Sequence, residues 1–271
     1  MSRYVIGIGA QKAGTTWLAD YLSHQKQVYM SPIKELHYFD ATYAPELSND
    51  NGLRQRLRAL AAINLQKKSY SEQRARMLSA LADRVSFRSL SDYRRYFETR
   101  AGNKRIFCEI TPSYAILNEE GFAAMRQLAD DVKLIFLMRD PVDRFWSAVR
   151  MFAQGRNVPA HKVDALKLLD NPQFLFRANY QRTLETAYKA FKPEHVHVEF
   201  YEKLFTLEAI QRINSFIGID HVQPDFQKEV NKGEMASMPS HVYEAARRKL
   251  DPIYLWARAT YGDQVPPAWR S

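Results

Sequence analysis

The residues best equipped for chemistry stand in four short clusters. Lys12 lies in Gly9-Ala10-Gln11-Lys12-Ala13-Gly14-Thr15-Thr16-Trp17, and Glu35 and His37 lie in Lys34-Glu35-Leu36-His37-Tyr38-Phe39-Asp40. Thr111 and Tyr114 belong to Glu109-Ile110-Thr111-Pro112-Ser113-Tyr114, and Arg139 opens Arg139-Asp140-Pro141, with Ser147 eight residues on. A glycine-bearing turn that ends a strand and opens a helix aims unpaired backbone N–H groups and the positive helix end at an anion, and a lysine in the turn adds a point charge. A carboxylate and an imidazole two residues apart are both candidates for a general base. A guanidinium with a nearby hydroxyl suits a phosphate. Each cluster alone has an ordinary explanation: a mere turn, a Lys34–Glu35 ion pair, a packed surface imidazole, or an arginine paired with a carboxylate beside a surface serine. Together they make an anion site next to a base.

The first turn departs from the nucleoside-triphosphate loop in one place. That loop needs Lys directly after its second Gly, whereas Thr15 follows Gly14 here and Lys12 stands two residues before it.

The elements that must position these residues alternate. Apolar runs at 3–9, 28–30, 105–109, 133–138 and 196–201 read as strands, and 3.6-residue periodicity predicts helices over 15–24, 121–129, 142–153, 174–191, 207–217 and 241–261. Asp140 suits an N-cap and Pro141 the first helical position, with Val142, Phe145, Trp146 and Val149 on the buried face and Ser147 off it. Strands alternating with helices predict an α/β fold, a three-layer sandwich with a central parallel sheet. Ligands of such folds bind at the carboxyl edge of the strands. Residues 220–239 read as a long loop.

Length and composition agree with an ordinary globular chain: 271 residues, 46% hydrophobic and 25% charged. We read residues 1–271 as one domain with a basic helical insertion at about 52–99. The net charge of +9 resides in one segment, because residues 50–105 hold 14 Lys and Arg against 5 Asp and Glu. Such a surface draws in anionic ligands or is simply a solvated helical face. No nucleic-acid motif accompanies it, so no nucleic-acid partner is expected. No apolar run is long enough to cross a bilayer and no leader pattern opens the chain, so a cytoplasmic protein is expected. The single cysteine, Cys108, and seven histidines form no cluster at zinc spacing, so no metal is expected.

With these residues in view, the sequence resembles the sulfotransferase superfamily, whose donor is 3′-phosphoadenosine 5′-phosphosulfate (PAPS). The resemblance implies a phosphate-loop type of fold and a PAPS-dependent transferase that moves a sulfuryl group to a hydroxyl, or failing that an amine, of a carbohydrate or small metabolite. It implies that Lys12, Ala13, Gly14, Thr15, Thr16 and Trp17 hold the 5′-phosphosulfate, and that Arg139 and Ser147 hold the 3′-phosphate. It also implies that Tyr201 in Phe200-Tyr201-Glu202 approaches the adenine, and that Lys232 and Gly233 close over the 3′-phosphate. Lys12 would supply positive charge to the departing oxygen. Glu35 matches the base of the glycan-type (heparan sulfate sulfotransferase-like) branch, while the small-molecule branch uses a histidine, which leaves His37 as the rival. Thr111 and Tyr114 resemble acceptor-lining residues of the glycan-type branch, although Ile110 replaces a lysine there; a strand end with a Pro turn explains them equally. Pro266, Pro267 and Trp269 resemble the chain end of bacterial members. Acceptor recognition is expected on the insertion, where Tyr70, Phe87, Tyr93 and Tyr96 stand among arginines. A nucleoside-triphosphate-dependent kinase and a non-catalytic anion binder remain as alternatives.

Overall fold

Five parallel strands form the central sheet of the computed structural model, which describes residues 2–48, 71–226 and 236–270. The order is β2 (Val28–Met30), β3 (Ile106–Ile110), β1 (Arg3–Gly9), β4 (Asp131–Met138) and β5 (Val196–Phe200). β1 pairs with both β3 and β4, so that Val5 stands opposite Cys108 on one side and Lys133 on the other. Parallel strands need crossovers, and helices packed on them bury the strands, which is why β1 and β4 read as near-continuous apolar runs.

The flanking helices are α1 (Thr15–Ser23), α2 (Tyr38–Tyr43), α3 (Glu72–Ser86), α4 (Leu90–Arg100), α5 (Glu119–Arg126) and α6 (Pro141–Gly155). They are followed by α7 (Ala165–Leu169), α8 (Pro172–Ala178), α9 (Tyr180–Tyr188), α10 (Tyr201–Leu204), α11 (Leu207–Ile217) and α12 (Ser240–Tyr261). None of the described helices is long and apolar enough to cross a membrane.

The single helix expected over 174–191 is two. Asn179 leaves the helical region at ψ 83 and its side-chain oxygen accepts the N–H of Arg182, so it ends α8 and caps α9. Periodicity continues across the break and conceals it; the competing side-chain cap decides.

The basic segment contributes α3 and α4. Ser89 and Asp92 form a capping box that starts α4. Its Tyr93, Tyr96 and Phe97 are buried, with Tyr93 and Phe97 set against Tyr4 of β1 and Phe97 also against Phe107 of β3. Phe87 is buried as well. These aromatics therefore belong to the core and offer no acceptor-binding face; their alternation with arginines reflects one helix side packed and the other solvated. Tyr70 lies outside the described residues, as does the segment 49–70.

Candidate active site

Apart from Ser147, which lies two turns into the helix after β4, the sequence-predicted site residues within the described segments follow the carboxyl ends of strands. Glu35 and His37 follow β2, Thr111 and Tyr114 follow β3, the Lys12 turn follows β1, Arg139 follows β4 and Tyr201 follows β5. The sheet order therefore lays the base candidates at one end of the edge and the Arg139–Tyr201 pair at the other, with Lys12 between them.

The Lys12 turn is bent by two left-handed residues, Lys12 at φ 71 and Gly14 at φ 82. A Cβ on Gly14 would stand 2.9 Å from Tyr201 Cδ2 and 3.0 Å from Leu204 Cδ2, so only glycine lets α10 come this close. Gly14 is also the N-cap of α1, and no side chain caps that end, which leaves its first N–H groups for an anion. Ala13 and Thr15 are buried within the turn and Thr16 is half-buried. Trp17 stacks on Tyr21 and on Phe226 and meets Phe205 edge-on.

Cations converge on this turn. Burial lowers the Lys12 ammonium below its ordinary range, and the positive charges of Arg139, Arg150 and Lys34 lower it further, with Glu35 opposing them. Arg139 donates to the Lys12 carbonyl at 3.2 Å, and its guanidinium carbon lies 4.4 Å from the centre of the Tyr201 ring. Its buried Nε has no hydrogen-bond partner. Such an arrangement is costly unless an anion completes it.

Glu35 and His37 both lie in the left-handed region, at φ 65 and φ 52. Among the described residues four non-glycines do so, and three of them are Lys12, Glu35 and His37. Holding each costs about 1–2 kcal/mol, a strain that surrounding contacts must over-determine. His37 bridges two carboxylates: its Nδ1 lies 2.8 Å from Asp40 Oδ2 and its Nε2 3.4 Å from Glu35 Oε2. Burial works against the imidazolium, yet Asp40 and Glu35 outweigh it and push its pKa up to about 9. For Glu35, burial is outweighed by His37 and by Lys34, whose Nζ donates to Oε1 at 2.8 Å, and the carboxyl is held down at about 2. At neutral pH the pair is therefore a carboxylate beside an imidazolium.

Thr111 and Tyr114 present no open surface; each is 0% exposed. Both donate to Glu109, Tyr114 at 2.8 Å and Thr111 at 3.1 Å, so they stand behind the base loop instead of lining a pocket. Ser147, expected off the packed face of α6, is only 8% exposed, because α6 is covered on more than one side. The expected N-cap forms, with Asp140 Oδ1 accepting from the N–H groups of Val142 and Asp143. Lys232 and Gly233 lie outside the described residues.

Several residues at the site escape sequence reasoning. Asp40 is fully buried and shared between His37 and Ser48; its signal is an acid three residues after the histidine. Arg150, one helical turn beyond Ser147, reaches Lys12 electrostatically. Glu109 is the only charged residue in the strand Ile106–Ile110, and a carboxylate in such a strand marks a buried hub.

With this geometry in place, a family model described as "Sulfotransferase family" matches residues 5–224. Among curated proteins, none matches the chain. The fold is similar to that of a sulfotransferase from Alicyclobacillus acidocaldarius, at 20% identity over 100% of both chains with a TM-score of 0.69. It is also similar to the sulfotransferase domain of the Synechococcus PCC 7002 olefin synthase, at 14% identity over 93% of this chain and 94% of that one, TM-score 0.51. A sulfotransferase domain from the curacin biosynthetic pathway matches at 14% identity over 89% and 81%, TM-score 0.50. At these identities the structural likeness speaks for the fold.

Proposed function

The chain belongs to the sulfotransferase family, and from that premise we propose that it moves a sulfuryl group from PAPS to a hydroxyl of a carbohydrate or small metabolite. The observation that carries the reading is the convergence of positive charge from Arg139, Arg150 and Lys34 on Lys12, in the turn that leads into the uncapped start of α1, with Glu35 opposing it. A nucleotide bearing several negative groups fits that set: the N–H groups of α1 and the buried, unpartnered Nε of Arg139 are donors awaiting acceptors. When bound, PAPS supplies an activated sulfuryl group and leaves as adenosine 3′,5′-bisphosphate.

The residues then divide the work. The turn from Lys12 to Trp17 holds the 5′ side, with the first N–H groups of α1 on the phosphosulfate oxygens. Lys12 places its charge on the oxygen that departs, which favours the transition state over the ground state because negative charge grows there. Arg139, braced on the Tyr201 ring, and Ser147 hold the 3′-phosphate, and Tyr201 lies beside the adenine.

Glu35 is the base in this scheme. It is the member of the Glu35–His37 pair that is deprotonated at neutral pH, whereas His37 carries a proton and faces a carboxylate from each ring nitrogen. A carboxyl held near 2 is a weak base. By analogy with phosphoryl transfer, a loose transition state releases the acceptor proton late, so that an ionised, well-placed oxygen is sufficient.

The test is a transfer assay with PAPS and a panel of carbohydrate and small hydroxyl acceptors. Bisphosphate release that depends on acceptor, and that falls about 100-fold or more in Glu35→Gln, supports the reading. Transfer that survives Glu35→Gln moves the base elsewhere, and absence of transfer with every acceptor rejects the proposed acceptor class.

A further inference from the structure

We infer that Arg84, on α3 of the basic segment, is a positioning residue that sets the shape of the loop carrying Glu35 and His37. Its Nε donates to the Leu36 carbonyl and its Nη2 donates to the His37 carbonyl at 2.8 Å. The guanidinium is itself buried and lies over the Phe87 ring. One rigid, planar donor thus takes two successive carbonyls of the loop, which a lysine has no geometry to do.

The opposite side of the same loop is held by a second group. The Glu109 carboxylate receives the Leu36 N–H and the Tyr114 hydroxyl, and the Tyr114 oxygen accepts the Tyr38 N–H at 3.1 Å. Tyr93 of α4 donates to the same carboxylate at 2.7 Å. Carbonyls are therefore gripped from α3 and N–H groups from β3 and the turn after it. Two non-glycine residues in the left-handed region lie at these grips, Glu35 immediately before Leu36 and His37 between Leu36 and Tyr38. A loop free of these contacts returns to φ < 0, and the side chains of residues 35 and 37 then swing away from one another.

This assigns the basic segment a part in the site. Its arginine shapes the base loop from the side opposite Glu109, and its buried tyrosine closes the hub on the Glu109 side. The catalytic consequence rests on the reading of Glu35 as the base; the shape of the loop does not.

The test follows the His37 ring by NMR in the whole chain, with Arg84→Ala, Arg84→Lys and Tyr114→Phe. Glu35 and Asp40 face the imidazole, while Lys34 and Arg177 act on those carboxylates. Removing a nearby cation by itself raises an imidazole pKa. Loss of the clamp does the reverse, because it parts His37 from Glu35. The expected result is a His37 midpoint that falls from about 9 toward the ordinary 6.5 in Arg84→Ala, with partial recovery in Arg84→Lys and a smaller fall in Tyr114→Phe. Turnover drops about 100-fold while adenosine 3′,5′-bisphosphate binds as before. An unchanged or raised His37 midpoint in folded Arg84→Ala overturns the inference. Should that variant not fold, a wild-type midpoint in both Arg84→Lys and Tyr114→Phe overturns it. If the wild-type chain transfers no sulfuryl group the functional reading fails, and the His37 titration still decides the clamp.

Discussion

Arg139 and Tyr201 are brought face to face by strand register. Met138 of β4 pairs with Phe200 of β5, so the next residue of each strand emerges at the same height, and the guanidinium carbon stands 4.4 Å from the ring centre. The ring fixes the arginine while leaving Nε unpartnered. Replacing Arg139 with Ala is expected to weaken adenosine 3′,5′-bisphosphate binding about 10- to 100-fold, the value of one or two charge-assisted hydrogen bonds, with little loss of stability. Isothermal calorimetry checks this; an unchanged Kd removes Arg139 from the donor site.

Gly14→Ala tests the turn itself. The new Cβ meets Tyr201 and Leu204 at about 3 Å in a backbone at φ 82, so steric conflict adds to conformational strain. We expect a loss of roughly 2 kcal/mol or more and a corresponding fall in Tm of about 4 °C or more, accompanied by weaker bisphosphate binding. A variant as stable and as tight as the wild type would show that α10 does not press on the turn.

The His37 bridge predicts a particular pH dependence. His37 is raised from 6.5 to about 9 on folding, so its contribution is complete below about pH 6.5 and disappears as pH rises through about 9. Glu35 is lowered from 4.5 to about 2, so its contribution is complete above about pH 4.5 and disappears as pH falls through about 2. Denaturant unfolding of wild type and His37→Gln should therefore differ most between pH 4.5 and 6.5 and converge above pH 9. A difference that grows with rising pH contradicts the bridge.

Asp140 couples the carboxyl edge of the sheet to α12. Its Oδ1 caps α6 and accepts from Tyr254 of α12 at 2.7 Å. Asp140→Ala removes the cap and strands a buried hydroxyl, at a cost of about 2–3 kcal/mol. Asp140→Asn, which keeps an acceptor, should recover most of it in thermal unfolding; equal loss in both variants would locate the effect elsewhere.

What was legible in the sequence follows from periodicity and from turn chemistry. The strands at 3–9, 133–138 and 196–201 and the turn at Lys12 carry strong local signals, and the sheet forms close to those bounds. The break at Asn179 was hidden because α8 and α9 are in nearly continuous helical phase. The buried state of Ser147 depends on what covers α6, and no local pattern encodes that. The clamp on residues 35–37 was equally silent: Arg84 and Glu109 stand 49 and 74 residues from Glu35 in the chain, and only the packing of α3 and β3 around the loop brings them to it. The convergence of Lys12, Lys34 and Arg139, which follow β1, β2 and β4, likewise emerges only once the strand order is known.

In the function proposed above, the edge around Lys12 and Arg139 takes a nucleotide with a 3′-phosphate. Thermal unfolding with adenosine 3′,5′-bisphosphate, beside ADP and ATP, each at large excess, tests it most directly. A ligand at 100 times its Kd adds about 2.7 kcal/mol, which for a chain of this size raises Tm by roughly 5–10 °C. That rise is expected with the bisphosphate, and none of comparable size with ADP or ATP. Stabilisation by ATP in its place, or by none of the three, would contradict it.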